Sequence, residues 1–365
     1  MRILKFFFCV LAASCMLACS SDDENEEGAQ TPADKTSKYL PINIEVAENP
    51  YTETAAAKTG KQKAPITFLS TLNTFNLYYM YENGLSEDDG EIPYSYNGDG
   101  NGNGSAWIAT HEKGKWNVGA EGQYGWPQDA TQLDLGEDVD VTWYAYANGN
   151  DNSNLHGMHT GSPYVNFTAD ELSTAQKDFL VSKLTLTHKE YEKEYNSTIF
   201  FHFDHACSAL RFNIKKATNV STKQISVKEL QLCNVKNSGR FYMNNYEWKN
   251  ISGSGTYTLM SQDNHPLTLD EAEYKTVFAG TLDENKENAY LFMIPQEVSA
   301  WNPAGETLSY TSGAYLKMLL DIGGTEVTGY VPFSGKFWQG NKHEVNINIG
   351  KNSLYKSDGS KIINE

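Results

Sequence analysis

The sequence has little cysteine and little positive charge. Of its five Cys, Cys9, Cys15 and Cys19 lie close to the N-terminus, so the rest of the chain has only Cys207 and Cys233. Two Cys cannot form a disulfide-rich scaffold, and one bridge and two buried thiols remain open alternatives. The 29 basic residues are outnumbered by 46 acidic ones, giving a net charge of −17. Such a surface repels nucleic acid and anionic lipid, so nucleic acid is excluded as a partner.

Enzyme motifs and metal-binding patterns are also scarce. We find no Ser nucleophile elbow, phosphate loop or dinucleotide fingerprint. The close histidine pairs are His156 with His159 and His202 with His205. The first pair lies in a Gly- and Asn-rich stretch, where solvated loop histidines are expected, and residues three apart on a strand face opposite sides. We therefore expect no metal, no cofactor and no catalytic activity.

A partial calcium-loop pattern occurs in residues 97–104. Asp99, Asn101 and Asn103 alternate ahead of Gly104, but the twelfth position counted from Asp99 is Thr110. A calcium loop needs a bidentate Glu there. Because Gly and Asn tolerate positive φ, the stretch is better interpreted as a hairpin tip.

Short runs rich in Tyr, Phe, Val, Ile and Thr recur throughout the chain, separated by clusters of Gly, Asn, Asp and Ser. This spacing predicts an all-β protein, sandwich or barrel. Strands are predicted at residues 40–46, 75–81, 107–110, 115–118, 139–147, 198–205, 210–214, 225–235, 289–294, 315–322, 326–332 and 343–349. In residues 139–147, Val141 and Trp143 alternate with polar positions, which predicts one packed face.

One helix and one domain boundary are predicted in the middle of the chain. Thr168 is placed to cap a short helix over residues 169–178, with Glu171 three positions later. Residues 187–196 are dense in charge and poor in apolar side chains. A boundary there divides the folded chain into domains at residues 39–196 and 197–365.

The N-terminus has the pattern of a lipoprotein signal peptide. Arg2 and Lys5 precede an apolar run that ends at Leu17, Ala18 and Cys19. The run is too short for a stable helix across ~30 Å of hydrocarbon, which takes roughly 20 apolar residues. We predict removal of residues 1–18, lipidation of Cys19 and a membrane anchor. Residues 19–38, rich in acidic side chains, should form a solvated linker.

A strand that could be removed follows the linker. Its alternating apolar positions are Leu40, Ile42, Ile44 and Val46. Residues 49–63 are rich in Ala, Thr, Gly and Lys and should form an exposed loop, the preferred kind of target for proteolysis. The candidate processing positions in this loop are Lys58, Lys61 and Lys63.

Four segments together resemble the fimbrillin-like lipoproteins of Gram-negative anaerobes, the family of major and minor fimbrial subunits. They are the lipoprotein start at Cys19 with its acidic tail, residues 63–69 with 72–78, residues 203–212 and residues 333–349. The resemblance implies two transthyretin-like β-sandwich domains in tandem and display on the outer membrane through a lipid anchor. It also implies that a protease removes the first strand before assembly with other fimbrial subunits by strand donation. In the proteins that this chain resembles, the protease cuts after an Arg residue, whereas the predicted loop of this chain has only Lys at the candidate positions.

Two functions are compatible with this resemblance. The first is a structural or adhesive fimbrial subunit that contacts other subunits and a glycan or protein on a host or bacterial surface. The alternative is a monomeric, surface glycan-binding lipoprotein that keeps its first strand. That alternative would use aromatic platforms, for which Trp107, Trp116 and Trp126 are close enough in the chain. Aromatic residues are also what strands bury, so a core role is expected for most of them.

Overall fold

The computed structural model describes most of the chain after residue 38. The described ranges are 39–40, 42–49, 52–53, 72–83, 91, 94–98, 102–119, 124–127, 139–149, 154–173, 175–194, 197–218, 223–261, 266–277, 290–350 and 353–362. Residues 37–365 form one compact unit, and the other unit, residues 1–36, lies outside these ranges. Within them, no helix has the length and apolar character needed to cross a bilayer.

These residues are almost entirely β-structure, which confirms the predicted all-β class. The first part of the chain contains β1 Tyr39–Leu40, β2 Asn43–Glu48, β3 Thr52–Glu53, β4 Thr74–Glu82, β5 Tyr94–Tyr96, β6 Gly104–Ser105, β7 Trp107–Glu112, β8 Lys115–Val118, β9 Trp126–Pro127, β10 Val141–Ala147, β11 Asn154–Leu155, β12 Tyr164–Thr168, β13 Leu180–Leu186, helix α1 His188–Lys193 and β14 Thr198–His205. A short 3-10 turn covers Met158–Thr160.

The second part continues with thirteen further strands. They are β15 Ser208–Lys216, β16 Ile225–Val235, β17 Ser238–Tyr242, β18 Glu247–Ser252, β19 Gly255–Met260, β20 Leu267–Thr268, β21 Lys275–Thr276, β22 Leu291–Met293, β23 Gln296–Val298, β24 Tyr315–Ile322, β25 Thr325–Pro332, β26 Gly335–Phe337 and β27 Asn341–Ile349.

Seven strands of the first part close into a ring. Hydrogen-bonded neighbours follow the order β10-β13-β14-β2-β8-β7-β4, and β4 pairs again with β10. β2 and β14 run parallel, with Ile44 opposite Ile199, whereas β2 and β8 are antiparallel. The first part is therefore a barrel in its hydrogen bonding. The predicted pair of transthyretin-like sandwiches remains a prediction.

Two cores form on the two sides of the barrel wall. The interior of the ring is filled by Ile44, Phe75, Leu77, Tyr79, Trp107, Val141, Trp143, Ile199, Phe201 and Phe203, among others. On the outer face, Tyr78, Tyr144 and Tyr146 join a second cluster that continues into the second part of the chain. Residues 139–147 were predicted to have one packed face, and this was wrong because the second part covers the outer face of β10.

The second part is built on two five-stranded sheets. One contains β19-β16-β24-β25, with β20 also pairing with β16. The other contains β21-β15-β27-β3, with β22 also pairing with β15. β3 belongs to the N-terminal segment, residues 39–53, in which β1 pairs with β9 and β2 lies in the ring. This one segment therefore pairs with both parts of the chain.

The predicted helix over residues 169–178 was wrong, and a helix forms instead in the charge-dense stretch of residues 187–196. The described residues of this range, 169–173 and 175–178, form turns, bends and irregular backbone, while α1 begins after Thr187. The Thr187 hydroxyl accepts a hydrogen bond from the backbone N–H of Glu190 at 3.2 Å. The Glu190 carboxylate accepts one from the Thr187 N–H at 2.8 Å. This capping box satisfies two terminal donors. Tyr191, on the buried side of α1, stacks on Trp126 with ring centroids 4.8 Å apart.

The pairing of β14 concerns the predicted domain boundary near residues 187–196. The predicted boundary assigns Thr198–His205 to the second domain, but this strand pairs with β13 and β2 of the ring. The domain limits therefore stay a prediction. The two thiols left open by the sequence, Cys207 and Cys233, are free and buried.

Candidate functional site

The predicted functional residues fall into two groups. Cys19 and the processing positions Lys58, Lys61 and Lys63 lie outside the described residues. The apolar positions of the predicted removable strand are described, and they lie in or beside two strands, β1, which ends at Leu40, and β2, which begins at Asn43. Ile44 is buried, Ile42 and Val46 are partly buried, and Leu40 pairs with Trp126 through its backbone.

β2 is held unequally on its two sides. Its six residues pair continuously with β14, and Asn43 and Asn49 extend this ladder by donating backbone N–H groups to Ser197 and Phe203. On the other side, the described ladder with β8 consists of one pair, Ile44 opposite Trp116. β2 is therefore the strand at which the ring is most weakly closed.

One end of the barrel carries a cluster of three buried polar side chains, Glu48, Asp178 and His205. Glu48 ends β2, Asp178 precedes β13 and His205 ends β14. The Nδ1 atom of His205 lies 2.5 Å from Asp178 Oδ2, and its Nε2 atom lies 3.2 Å from Glu48 Oε1. None of the three side chains is more than 2% exposed. The cluster thus ties β2 to two strands, β13 and β14, that follow it in the chain.

Strand alternation explains why these side chains meet. Ile44 and Glu48 share the inward face of β2, and Phe203 and His205 share the inward face of β14. The parallel register places Glu48 opposite Phe203, so its side chain reaches the next inward position of β14. The antiparallel pairing of β14 with β13 places His205 opposite Leu180, two residues after Asp178.

The two carboxylates keep the imidazole charged. Burial alone lowers the pKa of His205, but the hydrogen bonds and negative charges of Asp178 and Glu48 outweigh it and raise the pKa to about 9. A doubly protonated imidazole can donate through both ring nitrogens, which matches the two contacts. The cluster is therefore a charged clasp between β2 and the rest of the ring.

Sequence reasoning did not identify this clasp. His205 was considered with His202 as a metal pair and rejected because the two should face opposite sides. The structure has that arrangement, with His205 buried and His202 exposed. A usable signal was present in the alternation of β2, because Glu48 continues the inward series of Ile44 and Val46. No cluster of three potential metal ligands with suitable geometry occurs among the described residues.

The other histidine pair was expected to be solvated, which agrees with the exposed His159 but not with the partly buried His156. His156 Nδ1 lies 3.1 Å from Asn103 Oδ1, and His159 Nδ1 lies 3.1 Å from the Gly102 carbonyl oxygen. The His156 residue is partly buried against the end of the Gly- and Asn-rich stretch, whereas His159 is exposed. These contacts position the loop, whereas Asp99 and Asn101 of the partial calcium pattern lie outside the described residues.

The three clustered tryptophans contribute mainly to the core. Trp107 and Trp126 are buried, and Trp116 packs on Phe75 with ring centroids 4.9 Å apart. The large aromatic side chains exposed in the described part include Tyr310 and Trp338, at 87% and 59% exposure. The sugar platform considered from the sequence is therefore not formed by Trp107 and Trp126.

Comparisons with known proteins extend the description. A sequence model described as fimbrillin-like matches residues 78–363. The structure is similar to a fimbrial protein from Bacteroides vulgatus, with 17% identity, 88% of this chain and 98% of that chain covered, and a TM-score of 0.49. A candidate cell adhesion protein from Bacteroides ovatus has 13% identity, 89% and 97% coverage and a TM-score of 0.43. No curated protein matches the chain. At these identities and TM-scores, the similarity to solved structures supports no conclusion about function, and the family assignment depends on the sequence match alone.

Proposed function

The chain belongs to the fimbrillin-like family, and from this membership we propose that it is a structural and adhesive subunit of a bacterial fimbria on the cell surface. The observation that best supports an assembling role is the unequal pairing of β2 in the ring, with six residue pairs to β14 and one to β8. The proposal includes two tandem transthyretin-like domains, and the first of these would contain β14 because that strand pairs within the ring.

Maturation in this proposal has three steps. Lipidation of Cys19 brings the chain to the outer membrane. A protease then cuts among Lys58, Lys61 and Lys63. The segment of residues 39–53 finally leaves, and a strand of a neighbouring subunit takes the place of β2.

The position of β2 supports strand replacement. Its loss would open the ring between β14 and β8 and bring the interior side chains Phe201 and Phe203 next to the gap. Unpaired N–H and C=O groups along β14 would then form a sheet edge, the kind of surface that accepts a strand from another chain. Departure of the segment would also free the edge of β27 that β3 covers.

The contacts of β2 favour exchange over simple dissociation. Ile44 is buried, and full burial of an aliphatic side chain contributes ~1.5–3 kcal/mol. The partly buried Ile42 and Val46, the β14 ladder and the clasp add to this. A cut strand should therefore stay bound until a competing strand displaces it.

Substitution of the processing positions tests the proposal. Changing Lys58, Lys61 and Lys63 together to Gln should give protein that reaches the surface but forms no polymer ladder and no fimbriae by electron microscopy. A matched control changes three exposed lysines of the described part, Lys113, Lys115 and Lys177, to Gln. Normal assembly by the first variant, or saturable glycan binding by an uncut monomer, would favour the alternative function.

The anchor is tested separately. A Cys19→Ser variant should lose its acyl chains by mass spectrometry and its partitioning into detergent, because several buried acyl chains provide the anchoring. Unchanged partitioning would contradict lipidation while leaving the fimbrial role intact.

A further inference from the structure

The removable strand, β2, carries a buried carboxylate on a face whose other side chains are apolar. The inward face of β2 has Ile44, Val46 and then Glu48, whose side chain is 2% exposed. A strand that served only to fill the barrel would carry an apolar side chain at this third position. Burial of an ionised carboxylate is unfavourable unless it is paired. Its pairing with His205 therefore gives this position a specific chemical requirement.

The groups that create this requirement stay with the subunit after the cut. His205 and Asp178 lie far beyond the processing loop, and Asp178 continues to accept a hydrogen bond from His205 Nδ1. The Nε2 atom of His205 would then face the position that Glu48 left. An incoming strand with an apolar side chain there would bury this face of the imidazole without replacing the lost ion pair.

We propose that the strand which replaces β2 must carry a carboxylate at the position of Glu48, so that the buried face of the His205–Asp178 pair selects the partner subunit. This inference rests on the proposed strand replacement. The donor strand would have the pattern apolar, any, apolar, any, acidic when it runs parallel to β14, as β2 does.

The same carboxylate would fix the register of the donor. A slip by one residue turns every inward side chain of a strand to the outside. It would place the acidic side chain on the outer face and an outward side chain against His205. A slip by two residues keeps the faces but moves the carboxylate one inward position along β14, away from Nε2. The clasp therefore distinguishes donors by sequence and by alignment.

Glu45 offers a matched comparison within the same strand. It lies three positions before Glu48, faces outward opposite Phe200 and is exposed. Glu45→Gln and Glu48→Gln remove the same charge from the same peptide. A general preference for acidic donors would respond to both changes, whereas the proposed selection responds only to Glu48→Gln.

The test uses the full chain with a sequence-specific protease site placed at residues 58–63. After cutting, the protein is incubated at pH 6.5 with excess fluorescent peptides that contain residues 39–53. The peptides are the native sequence, Glu48→Gln, Glu48→Leu and Glu45→Gln. Native gels measure uptake, and chase with unlabelled native peptide measures the dissociation rate.

The native and Glu45→Gln peptides should be retained equally, and both Glu48 variants should dissociate faster, by on the order of 10- to 100-fold. In a His205→Asn protein, the dissociation rates of the native and Glu48-variant peptides should differ by no more than about threefold. The reason is that the coupling between two groups disappears when either is removed. Equal retention of native and Glu48→Gln peptides, or a preference for Glu48 that persists in the His205→Asn protein, would overturn the inference and leave strand replacement standing. Uptake of no peptide, the native one included, would refute strand replacement itself and the inference with it.

Discussion

The buried clasp predicts an unusual dependence of stability on pH. The pKa of His205 is raised from 6.5 to about 9 in the folded chain. A group with a raised pKa in the folded state contributes stability that is complete below its unfolded pKa. The contribution should therefore be complete below pH 6.5 and should disappear as the pH rises through 9. The difference between the folded and unfolded pKa of His205 corresponds to ~3 kcal/mol of stability, at about 1.36 kcal/mol for each pKa unit.

Groups near the imidazole do not reverse this sign. Asp178 and Glu48 face its two nitrogens. Asp204, on the opposite face of β14, accepts a hydrogen bond from the side chain of Asn49 at 2.7 Å. Burial raises the pKa of the Cys207 thiol well above its usual range, so this group should remain neutral. Loss of the His205 charge is therefore the expected local event between pH 6.5 and 9.

The assay is urea unfolding of the wild type and a His205→Asn variant from pH 6 to 9.5. Asn can still donate to Asp178 but does not titrate. At pH 6 the variant should be less stable by ~3–5 kcal/mol, the cost of breaking a buried charge pair. The difference in unfolding free energy between the wild type and the variant should narrow by about 3 kcal/mol toward pH 9.5. His202→Asn, on the exposed outer face of the same strand, should follow the wild type. Parallel profiles for His205→Asn and wild type would refute the charged clasp.

Three further predictions concern other parts of the chain. Thr187→Ala should lower the free energy of unfolding by ~1 kcal/mol by removing the cap of α1, and Thr187→Ser should restore most of it. Ile44→Ala should cost ~2–5 kcal/mol by the same urea assay and should speed release of the cut segment, because it empties a filled site in the barrel. Since Cys207 and Cys233 are free and buried, thiol reagents should label them only after unfolding, and a reductant should leave the Tm unchanged.

Strands with strong alternation could be predicted from the sequence. Residues 115–118, 225–235 and 315–322 form strands at the predicted bounds because apolar and polar side chains alternate with few interruptions. β18 was missed because most of Glu247–Ser252 is exposed, so its sequence shows no buried face. The predicted helix at 169–178 failed for a tertiary reason. Gln176 accepts from the backbone N–H of Phe292 and donates to the Asp170 carbonyl oxygen, and these contacts hold an irregular loop.

The functional site was only half accessible to sequence reasoning. The apolar series through Ile44 and Val46 marks a strand with a buried face, and this could be read locally. The role of Glu48 could not be read locally, because its partners Asp178 and His205 lie more than a hundred residues later in the chain. The parallel pairing of β2 with β14 and the antiparallel pairing of β14 with β13 bring them together, and a lone Glu at a strand end usually indicates a solvated position.

The distance in sequence between β2 and β14 has a further consequence for timing. Asn43 bonds a residue 154 positions away, so the ring cannot close around β2 until the chain as far as β14 is available. As long as the chain between β3 and β4 is intact, β2 competes for its place as a tethered strand, and tethering raises the effective concentration of a strand, to roughly millimolar for short tethers. A free donor at ordinary concentration cannot match this advantage. In the proposed maturation, proteolysis would break none of the contacts of β2 but would end its tethering, so that affinity and abundance alone would decide which strand occupies the barrel.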